Sequence, residues 1–163
     1  MKMIDDYKGK RVLVLGAGKS GTHAAELLQT LGASVTLNDS KPSDQLPEVA
    51  ELEDRGIHTV TGKQTADILD QGFDLMVKNP GIPYDNAVVA RAVNDRLPII
   101  TEVELAAQIT DAQIVGVTGR NGKTTTVTMI TKILNQERQK GHAYAAGNIG
   151  ISATETAMKA TAD

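Results

Sequence analysis

The chain has 163 residues, of which 40% are hydrophobic and 2% aromatic, and it carries a formal net charge of −3 with no cysteine. This length allows one ordinary domain, or one domain and part of a second. The acidic balance and the scarcity of aromatic side chains argue against nucleic-acid binding. The absence of cysteine excludes disulfides and thiolate metal sites, no apolar run is long enough to span a membrane, and no signal-peptide segment follows the start. We therefore expect a cytoplasmic protein without membrane insertion.

Short apolar runs alternate with helical patterns through the first 100 residues. Unalternated runs such as 12–15 are typical of strands buried on both faces of a sheet. Strands are predicted at 12–15, 35–37, 57–60, 75–77 and 98–100, and helices at 24–31, 48–55 and 87–93. This alternation predicts parallel strands joined by right-handed crossovers. We expect residues 1–100 to form a Rossmann-like, doubly wound α/β domain.

The alternation of strands and helices restarts after residue 100. The next predicted elements are a helix at 102–109, a buried strand at 114–117, a helix containing Val127, Ile130 and Leu134, a strand at 142–146 and a helix from residue 152 onward. They predict a second α/β unit over residues 101–163. Such a short unit is a poor core for an independent domain. We therefore expect this second domain to be incomplete.

A glycine-rich segment, Gly-Ala-Gly-Lys-Ser-Gly at 16–21, follows the first predicted strand and opens a helix. In the matching pattern G-x-G-x-x-G, the first glycine allows a tight turn, the second lets the backbone approach a diphosphate, and the third lets helix and strand pack closely. The helix N-terminus offers N–H groups to an anion, and Asp39 follows the second strand, where an acid binds a ribose or base. The pattern predicts diphosphate binding without identifying the nucleotide, and glycines that only serve a tight turn are the alternative.

A second loop, Thr-Gly-Arg-Asn-Gly-Lys-Thr-Thr-Thr at 118–126, also lies between a predicted strand and a helix. It carries the Gly-Lys-Thr core of a P-loop, in which backbone N–H groups surround phosphates, the lysine reaches the β- and γ-phosphates, and the threonine hydroxyl binds Mg²⁺. The strict pattern requires glycine at position 117, where this chain has Val117. A lysine in the first turn of a helix is unfavourable unless an anion binds there. The loop therefore predicts ATP-phosphate binding.

The combination of two phosphate-type loops narrows the function. A simple dehydrogenase does not need the second loop, and a simple P-loop NTPase does not need the first. Together they predict one nucleotide-tagged substrate and one ATP, as in an ATP-driven ligase or kinase. An NAD-binding oxidoreductase domain and a regulatory P-loop ATPase are the alternatives from other classes.

Four segments together resemble the Mur ligase family, whose members build the peptide stem of peptidoglycan. They are the loop at 118–126, Lys-Asn-Pro-Gly-Ile at 78–82, Ile-Thr-Glu-Val-Glu-Leu at 100–105 and Gly-Asn-Ile-Gly at 147–150. The resemblance covers essentially the whole chain, and it is strongest to the branch that adds D-glutamate. The branch that adds L-alanine is the nearest rival, although it typically has histidine where this chain has Asn121.

The resemblance implies that residues 1–100 bind the UDP of UDP-N-acetylmuramoyl-L-alanine. Gly18, Lys19 and Ser20 would approach the diphosphate. The Asn148 amide would bind the substrate near its sugar. The implied UDP-substrate residues are Gly16, Gly18, Lys19, Ser20, Asp39, Ser40, Lys41, Asn79, Pro80, Gly81 and Asn148.

The resemblance also implies that residues 101–163 are the N-terminal part of a P-loop ATPase domain. Lys123 would be the catalytic cation on the transferred phosphoryl group, and Thr124 would help to hold Mg²⁺. Arg120 departs from the family, in which threonine or serine is usual; it is either an exposed loop side chain or a direct phosphate contact. The implied ATP-binding residues are Gly119, Arg120, Asn121, Gly122, Lys123, Thr124 and Thr125.

The implied reaction is ATP-dependent amide-bond formation in the synthesis of peptidoglycan precursors. The L-alanine carboxylate of the substrate is activated by phosphoryl transfer from ATP, and the amine of D-glutamate then attacks the acyl phosphate. In the family, further Mg²⁺ ligands and the residues that bind D-glutamate and adenine follow later in the chain. We therefore expect this 163-residue chain to be a truncated portion without ligase activity of its own.

Some polar residues are predicted to have no special role. His23 lies in the first predicted helix and is expected to be an ordinary helix-face residue, because the three histidines have no metal-binding spacing. Glu102 and Glu104 are two positions apart and do not share a helix face. Both glutamates are expected at the solvated surface.

Overall fold

The structure is a computed structural model in which residues 4–147 and 149–160 are described. Its centre is a parallel five-stranded sheet made of β1 (Arg11–Leu15), β2 (Ser34–Asn38), β3 (His58–Val60), β4 (Leu75–Lys78) and β5 (Ile99–Thr101). The strand order is β3-β2-β1-β4-β5, and every neighbouring pair is parallel. The predicted parallel α/β sheet is confirmed, with each strand within a residue or two of its predicted bounds.

The helices are α1 (Lys19–Thr30), α2 (Glu48–Asp54), α3 (Ala87–Asn94), α4 (Glu102–Ile109), α5 (Lys123–Asn135) and α6 (Ala153–Lys159). α1, α2, α4 and α6 contribute to the apolar cluster on one face of the sheet. α3 and a 3₁₀ turn at Ala66–Gln71 cover the other face. Both faces of the sheet are therefore covered, which explains why β1 and β4 contain unalternated apolar runs, at 12–15 and 75–77.

Helix ends in the sheet region follow local capping rules. Oδ1 of Asn86 accepts hydrogen bonds from the N–H groups of Val88 (3.0 Å) and Val89 (3.4 Å) and so caps α3. Thr101 and Glu104 form a reciprocal capping box at the start of α4. Glu104 thus has a specific structural role at the surface, and α4 begins directly where β5 ends.

The predicted strands at 114–117 and 142–146 are wrong for this structure, in which both segments are irregular. Ile114 and Val115 are 61% and 63% exposed. Among the described residues, no neighbouring strand pairs with either segment. A strand needs a partner for its backbone N–H and C=O groups, and neither of these described segments pairs with the free side of an edge strand, β3 or β5.

α6, near the end of the described residues, packs against the helices that cover one face of the sheet. Its packing is mainly against α4 and α1. Glu102 is 3% exposed, and its Oε1 accepts a hydrogen bond from the N–H of Thr154 at 2.5 Å. The predicted surface position of Glu102 is therefore wrong, because α6 covers this carboxylate. Within the described part of the chain, no helix is both long and apolar enough to cross a membrane.

Candidate nucleotide-binding site

The glycine loop at 16–21 connects β1 to α1 at the carboxyl edge of the sheet. Gly16 has φ of 100°, a conformation that favours glycine, and its N–H donates to the Asn38 carbonyl at 2.8 Å. A Cβ on Gly21 would lie 1.8 Å from the Gly16 carbonyl oxygen. The first turn of α1 can close against the loop only because residue 21 is glycine. The third glycine of the predicted pattern therefore has the packing role expected for it.

Asp39 follows β2 and ties that strand end to the glycine loop. One carboxylate oxygen accepts the Ala17 N–H at 2.7 Å, and the other accepts the Lys41 N–H at 2.8 Å. Asp39 is partly exposed, and Ser40 and Lys41 are exposed beside it. An ionised carboxylate has capacity for further hydrogen bonds beyond these two. Asp39 can therefore hold the loop and still accept a hydrogen bond from a ligand hydroxyl or base.

The first turn of α1 has the features that suit a helix N-terminus for anion binding. Gly18 is the N-cap and supplies no side-chain hydrogen bond, and the first turn contains Lys19 but no acidic residue. Gly18 and Lys19 are exposed, and Ser20 is partly so. A 12-residue helix has the positive end of its dipole here. The turn therefore offers N–H groups and a lysine to a diphosphate.

The loop after β4 lies directly against the glycine loop. The Asn79 N–H donates to the Leu15 carbonyl at 3.1 Å, and Asn79 Oδ1 accepts the Gly81 N–H at 3.0 Å. A Cβ on Gly16 would lie 3.2 Å from both Asn79 Cβ and Ile82 Cδ1. Pro80 and Gly81 are exposed at the edge. β1 and β4 are neighbouring strands, and the strand order changes direction between them. Open α/β sheets bind ligands at such a point, beside the carboxyl ends of the strands, and both loops lie there.

The second loop forms the turn before α5. Gly119 and Gly122 have φ of 146° and 80°, and Gly122 is the left-handed N-cap of α5. Nζ of Lys123 donates to the Gly119 carbonyl and, at 3.3 Å, to the Arg120 carbonyl. All seven residues from 119 to 125 are exposed, including Arg120 and Asn121. Lys123 therefore lies over its own loop, at the N-terminus of a 13-residue helix without an acid in its first turn.

Thr124 is the residue predicted to hold Mg²⁺. Within residues 4–147 and 149–160, no three His, Asp or Glu side chains are grouped so that they could bind a metal ion. Mg²⁺ in nucleotide sites usually keeps several waters and binds substrate phosphates through only one or two protein ligands. An exposed threonine hydroxyl at the start of α5, beside the loop at 119–122, fits this donor set. Thr125 follows in the same turn of α5 and is also exposed.

The predicted substrate residue Asn148 lies outside the described residues, but its neighbours are described. The Gly147 N–H donates to the Ile151 carbonyl at 2.9 Å, which closes a short turn. Ser152 then begins α6 and contacts His23 of α1. His23 is a helix-face residue, as predicted, and it joins α1 to the segment that follows this turn.

The structure thus brings together the glycine loop, Asp39 and the Asn79 loop. Among the hydrogen bonds of the described residues, none joins the loop at 119–125 to this group. The sequence analysis missed Lys78, whose buried ammonium supports the Asn79 loop. The available signal was weak: Lys78 directly follows the apolar run at 75–77, but its burial was not expected because buried lysines are rare.

Comparison with known families identifies the part of the chain that carries this site. The family model described as Mur ligase MurD-like, N-terminal domain, matches residues 10–101. That range contains all five strands, the glycine loop, Asp39 and the Asn79 loop. The loop at 118–126 lies beyond it.

Comparison with curated proteins gives relatives along the whole chain. UDP-N-acetylmuramoylalanine–D-glutamate ligase of Ligilactobacillus salivarius is 55% identical over 161 residues, which is 99% of this chain and 35% of that protein. The enzyme of the same name from Enterococcus faecalis is 56% identical over 162 residues, 99% of this chain and 36% of that protein. The chain thus spans about a third of the length of the curated relatives it matches.

Two solved structures are similar in fold. UDP-N-acetylmuramate:L-alanyl-gamma-D-glutamyl-meso-diaminopimelate ligase from Neisseria meningitides has a TM-score of 0.57 at 26% identity, covering 88% of this chain and 46% of that chain. UDP-N-acetylmuramate-alanine ligase from Thermotoga maritima has a TM-score of 0.54 at 25% identity, covering 77% and 29%. The sheet region, residues 11–101, is little more than half of this chain. Because both similarities cover a larger share of the chain, both extend beyond that region.

Proposed function

Because the chain belongs to the Mur ligase MurD-like family, we propose that it carries the UDP-substrate site and the ATP phosphate loop of a peptidoglycan ligase. The reaction proposed is addition of D-glutamate to UDP-N-acetylmuramoyl-L-alanine. The observation that carries the proposal is the contact of the glycine loop with the Asn79 loop beside the N-terminus of α1. Backbone N–H groups, a helix dipole and Lys19 converge there, which suits a diphosphate.

Residues 1–100 act in this proposal as a Rossmann-like domain for the UDP substrate. Gly18, Lys19 and Ser20 approach the diphosphate, Gly16 belongs to the same loop, and the group at 39–41 lies around the uridine. Asn79, Pro80, Gly81 and Asn148 complete the proposed site. The two hydrogen bonds that Asp39 accepts from loop N–H groups support this arrangement, because they hold the proposed uridine side and diphosphate side in a fixed relation.

Residues 101–163 contribute the phosphate loop of a P-loop ATPase domain in the same proposal. The substrate carboxylate oxygen attacks the γ-phosphorus of ATP, ADP leaves, and the D-glutamate amine displaces phosphate from the acyl phosphate. Lys123 neutralises the charge of the transferred phosphoryl group, and the N–H groups at the start of α5 bind phosphate oxygens. Mg²⁺, when bound with ATP at Thr124, supplies further neutralisation of phosphate charge.

The substrate side of the proposal is tested by calorimetry on the 163-residue chain. We expect UDP-N-acetylmuramoyl-L-alanine to bind and Lys19→Met to weaken it by roughly tenfold, the effect of losing one charge-assisted contact. Lys10→Met is the matched control, since Lys10 is exposed and precedes β1 at the opposite edge of the sheet. Tighter binding of NAD would favour the oxidoreductase alternative. Tighter binding of the substrate without L-alanine would favour the L-alanine-adding branch.

The nucleotide side is tested by titration with ATP and Mg²⁺. We expect binding that Lys123→Met abolishes within the measurable range, because the lysine is the main cation at the phosphates. Lys132→Met serves as the control, since Lys132 is an exposed residue in the last turn of the same helix. Equal binding by both variants would contradict the assigned role of the loop.

A further inference from the structure

Lys78 is a buried cation at the carboxyl end of β4. It is 3% exposed, and buried lysines normally pair with a carboxylate. In the described part of the chain, no carboxylate forms an ion pair with it. Its Nζ instead donates to the carbonyls of Ile82 at 2.6 Å and Asn79 at 3.2 Å, and lies 4.9 Å from the ring centroid of Tyr84. Among the described residues, the positive charge is therefore stabilised by two carbonyl dipoles and an aromatic face rather than by a carboxylate.

The two carbonyls that Lys78 binds belong to the loop that packs on the glycine loop. Asn79 and Ile82 are the residues whose side chains would meet a Cβ on Gly16 at 3.2 Å, and the Asn79 amide nitrogen would lie 3.9 Å from a Cβ on Gly18. The Ile82 N–H also donates to the Asn79 carbonyl at 3.0 Å. Lys78 thus fixes both ends of the short turn that covers the glycine loop.

The hydrogen bonds and the charge of Lys78 affect how this end of the sheet interacts with an anion. A carbonyl oxygen is the negative end of a peptide dipole, and its exposure beside a diphosphate is repulsive. The Lys78 ammonium engages two such oxygens in hydrogen bonds. Because no carboxylate cancels the charge, the ammonium also contributes a positive potential that burial protects from screening.

We propose that Lys78 is a positioning residue for the diphosphate of the UDP substrate: it holds the 79–82 turn against the glycine loop, and its ammonium engages two of that turn's carbonyl oxygens. The proposal rests on the proposed function of the glycine loop. It adds a residue that touches neither substrate nor cofactor and acts through Asn79 and Ile82. Tyr84 supports it by covering the ammonium.

The test compares Lys78→Met, Lys78→Arg and the control Lys10→Met in the full chain. Methionine keeps an apolar stem in place of the lysine stem and removes the charge. We expect Lys78→Met to weaken UDP-N-acetylmuramoyl-L-alanine by roughly tenfold or more, since two charged hydrogen bonds are lost. Arginine, which can also donate to the two carbonyls, should restore most of the affinity. ATP affinity should stay unchanged in all variants.

Uridine separates a positioning role from general loss of structure. Uridine lacks the diphosphate, so Lys78→Met should change its affinity less than twofold in a chemical-shift titration. A merely structural role of Lys78 would instead weaken uridine and UDP-N-acetylmuramoyl-L-alanine alike. Equal loss for both ligands, or no loss for either, overturns the inference and leaves the proposed function standing. Failure of the unaltered chain to bind the UDP substrate overturns both. If Lys78→Met does not fold, Lys78→Gln takes its place with the same expected outcomes, because glutamine also removes the charge.

Discussion

Nδ1 of His23 lies 2.8 Å from Oγ of Ser152, a residue 129 positions later in the chain. The contact joins the second turn of α1 to the N-cap of α6, and Glu155 Oε2 lies 3.8 Å from the same nitrogen. Lys19 and His23 are four residues apart on α1 and therefore share a helix face. The contact thus links the segment after Gly147 to the helix whose first turn carries the proposed diphosphate site.

We expect His23→Ala to loosen α6 while leaving the sheet intact. Loss of one net hydrogen bond, about 1 kcal/mol, corresponds to roughly fivefold faster exchange of amides that are protected by α6 docking. Hydrogen exchange of the amides of α6 and β1 measures this. His58→Ala is the control, since His58 is exposed on β3. Unchanged exchange in α6, or equal acceleration in β1, would contradict a local role for the contact.

Glu102 provides a second, stronger contact with α6. We expect Glu102→Ala to lower the free energy of α6 docking by about 1–3 kcal/mol, because the Thr154 N–H is then buried without a partner. Glu102→Gln keeps an oxygen acceptor at the same place and should cost only a few tenths of a kcal/mol through the lost charge at the start of α4. Hydrogen exchange of the Thr154 amide in both variants distinguishes the loss of the acceptor from the loss of the charge. Equal effects of alanine and glutamine would mean that charge, not the acceptor, matters.

The parts of the fold that were predictable are those determined by local pattern. β1 and β4 are apolar runs that end at turn residues, and the capping residue Asn86 lies next to the helix that it starts. The burial of Glu102 was not predictable, because it depends on α6, which arrives from a distant part of the sequence. The same reason applies to 114–117, whose sequence favours a strand but which finds no partner among the described strands.

The candidate site was predictable to a similar extent. The glycine pattern located the loop at 16–21, and the motif at 78–82 located its neighbour. Only the structure brings Asn79 and Ile82 against Gly16. The motif at 78–82 included Lys78 but gave it no role of its own, because the charge of a lysine at the end of a strand suggests exposure and its two carbonyl partners are made available only by the turn that follows.

Two glycines of the first loop should differ strongly in how much stability they lose on substitution by alanine. Gly21→Ala forces a Cβ to within 1.8 Å of the Gly16 carbonyl, so we expect a loss of more than about 3 kcal/mol in the free energy of unfolding. Gly18 has φ of −66°, and its added Cβ would meet only the Asn79 amide nitrogen at 3.9 Å. Alanine is a poorer N-cap than glycine, so Gly18→Ala should cost no more than about 1 kcal/mol.

Urea unfolding of the two glycine variants measures this difference, and ligand binding adds a second criterion. If the backbone at residue 18 approaches a diphosphate as proposed, Gly18→Ala should weaken the UDP substrate although the fold is unaffected. A stable Gly21→Ala variant would contradict the packing argument. Undiminished binding by Gly18→Ala would contradict only the proposed close approach of the ligand.

Tyr7 makes the stability of the fold depend on pH in the alkaline range. Burial raises the pKa of its hydroxyl above the ordinary value of 10.0, and the negative charge of Asp6 adds to this effect. The hydroxyl donates to Gln108 Oε1 at 2.5 Å and so ties the N-terminal segment to α4. The folded state favours the neutral form, so this contribution to stability is fully present below the unfolded pKa. It is lost as the pH rises through the raised folded pKa.

Ultraviolet absorbance of tyrosinate measures the titration of the three tyrosines. Tyr84 and Tyr144 are 64% and 46% exposed, whereas Tyr7 is 4% exposed. We expect Tyr7→Phe to remove a late step from this titration, because the pKa of Tyr7 is raised. Because phenylalanine lacks the hydroxyl, the variant should also lose about 1 kcal/mol of stability at neutral pH and become less sensitive to alkaline pH. A late titration step that persists in Tyr7→Phe would assign the raised pKa to another residue.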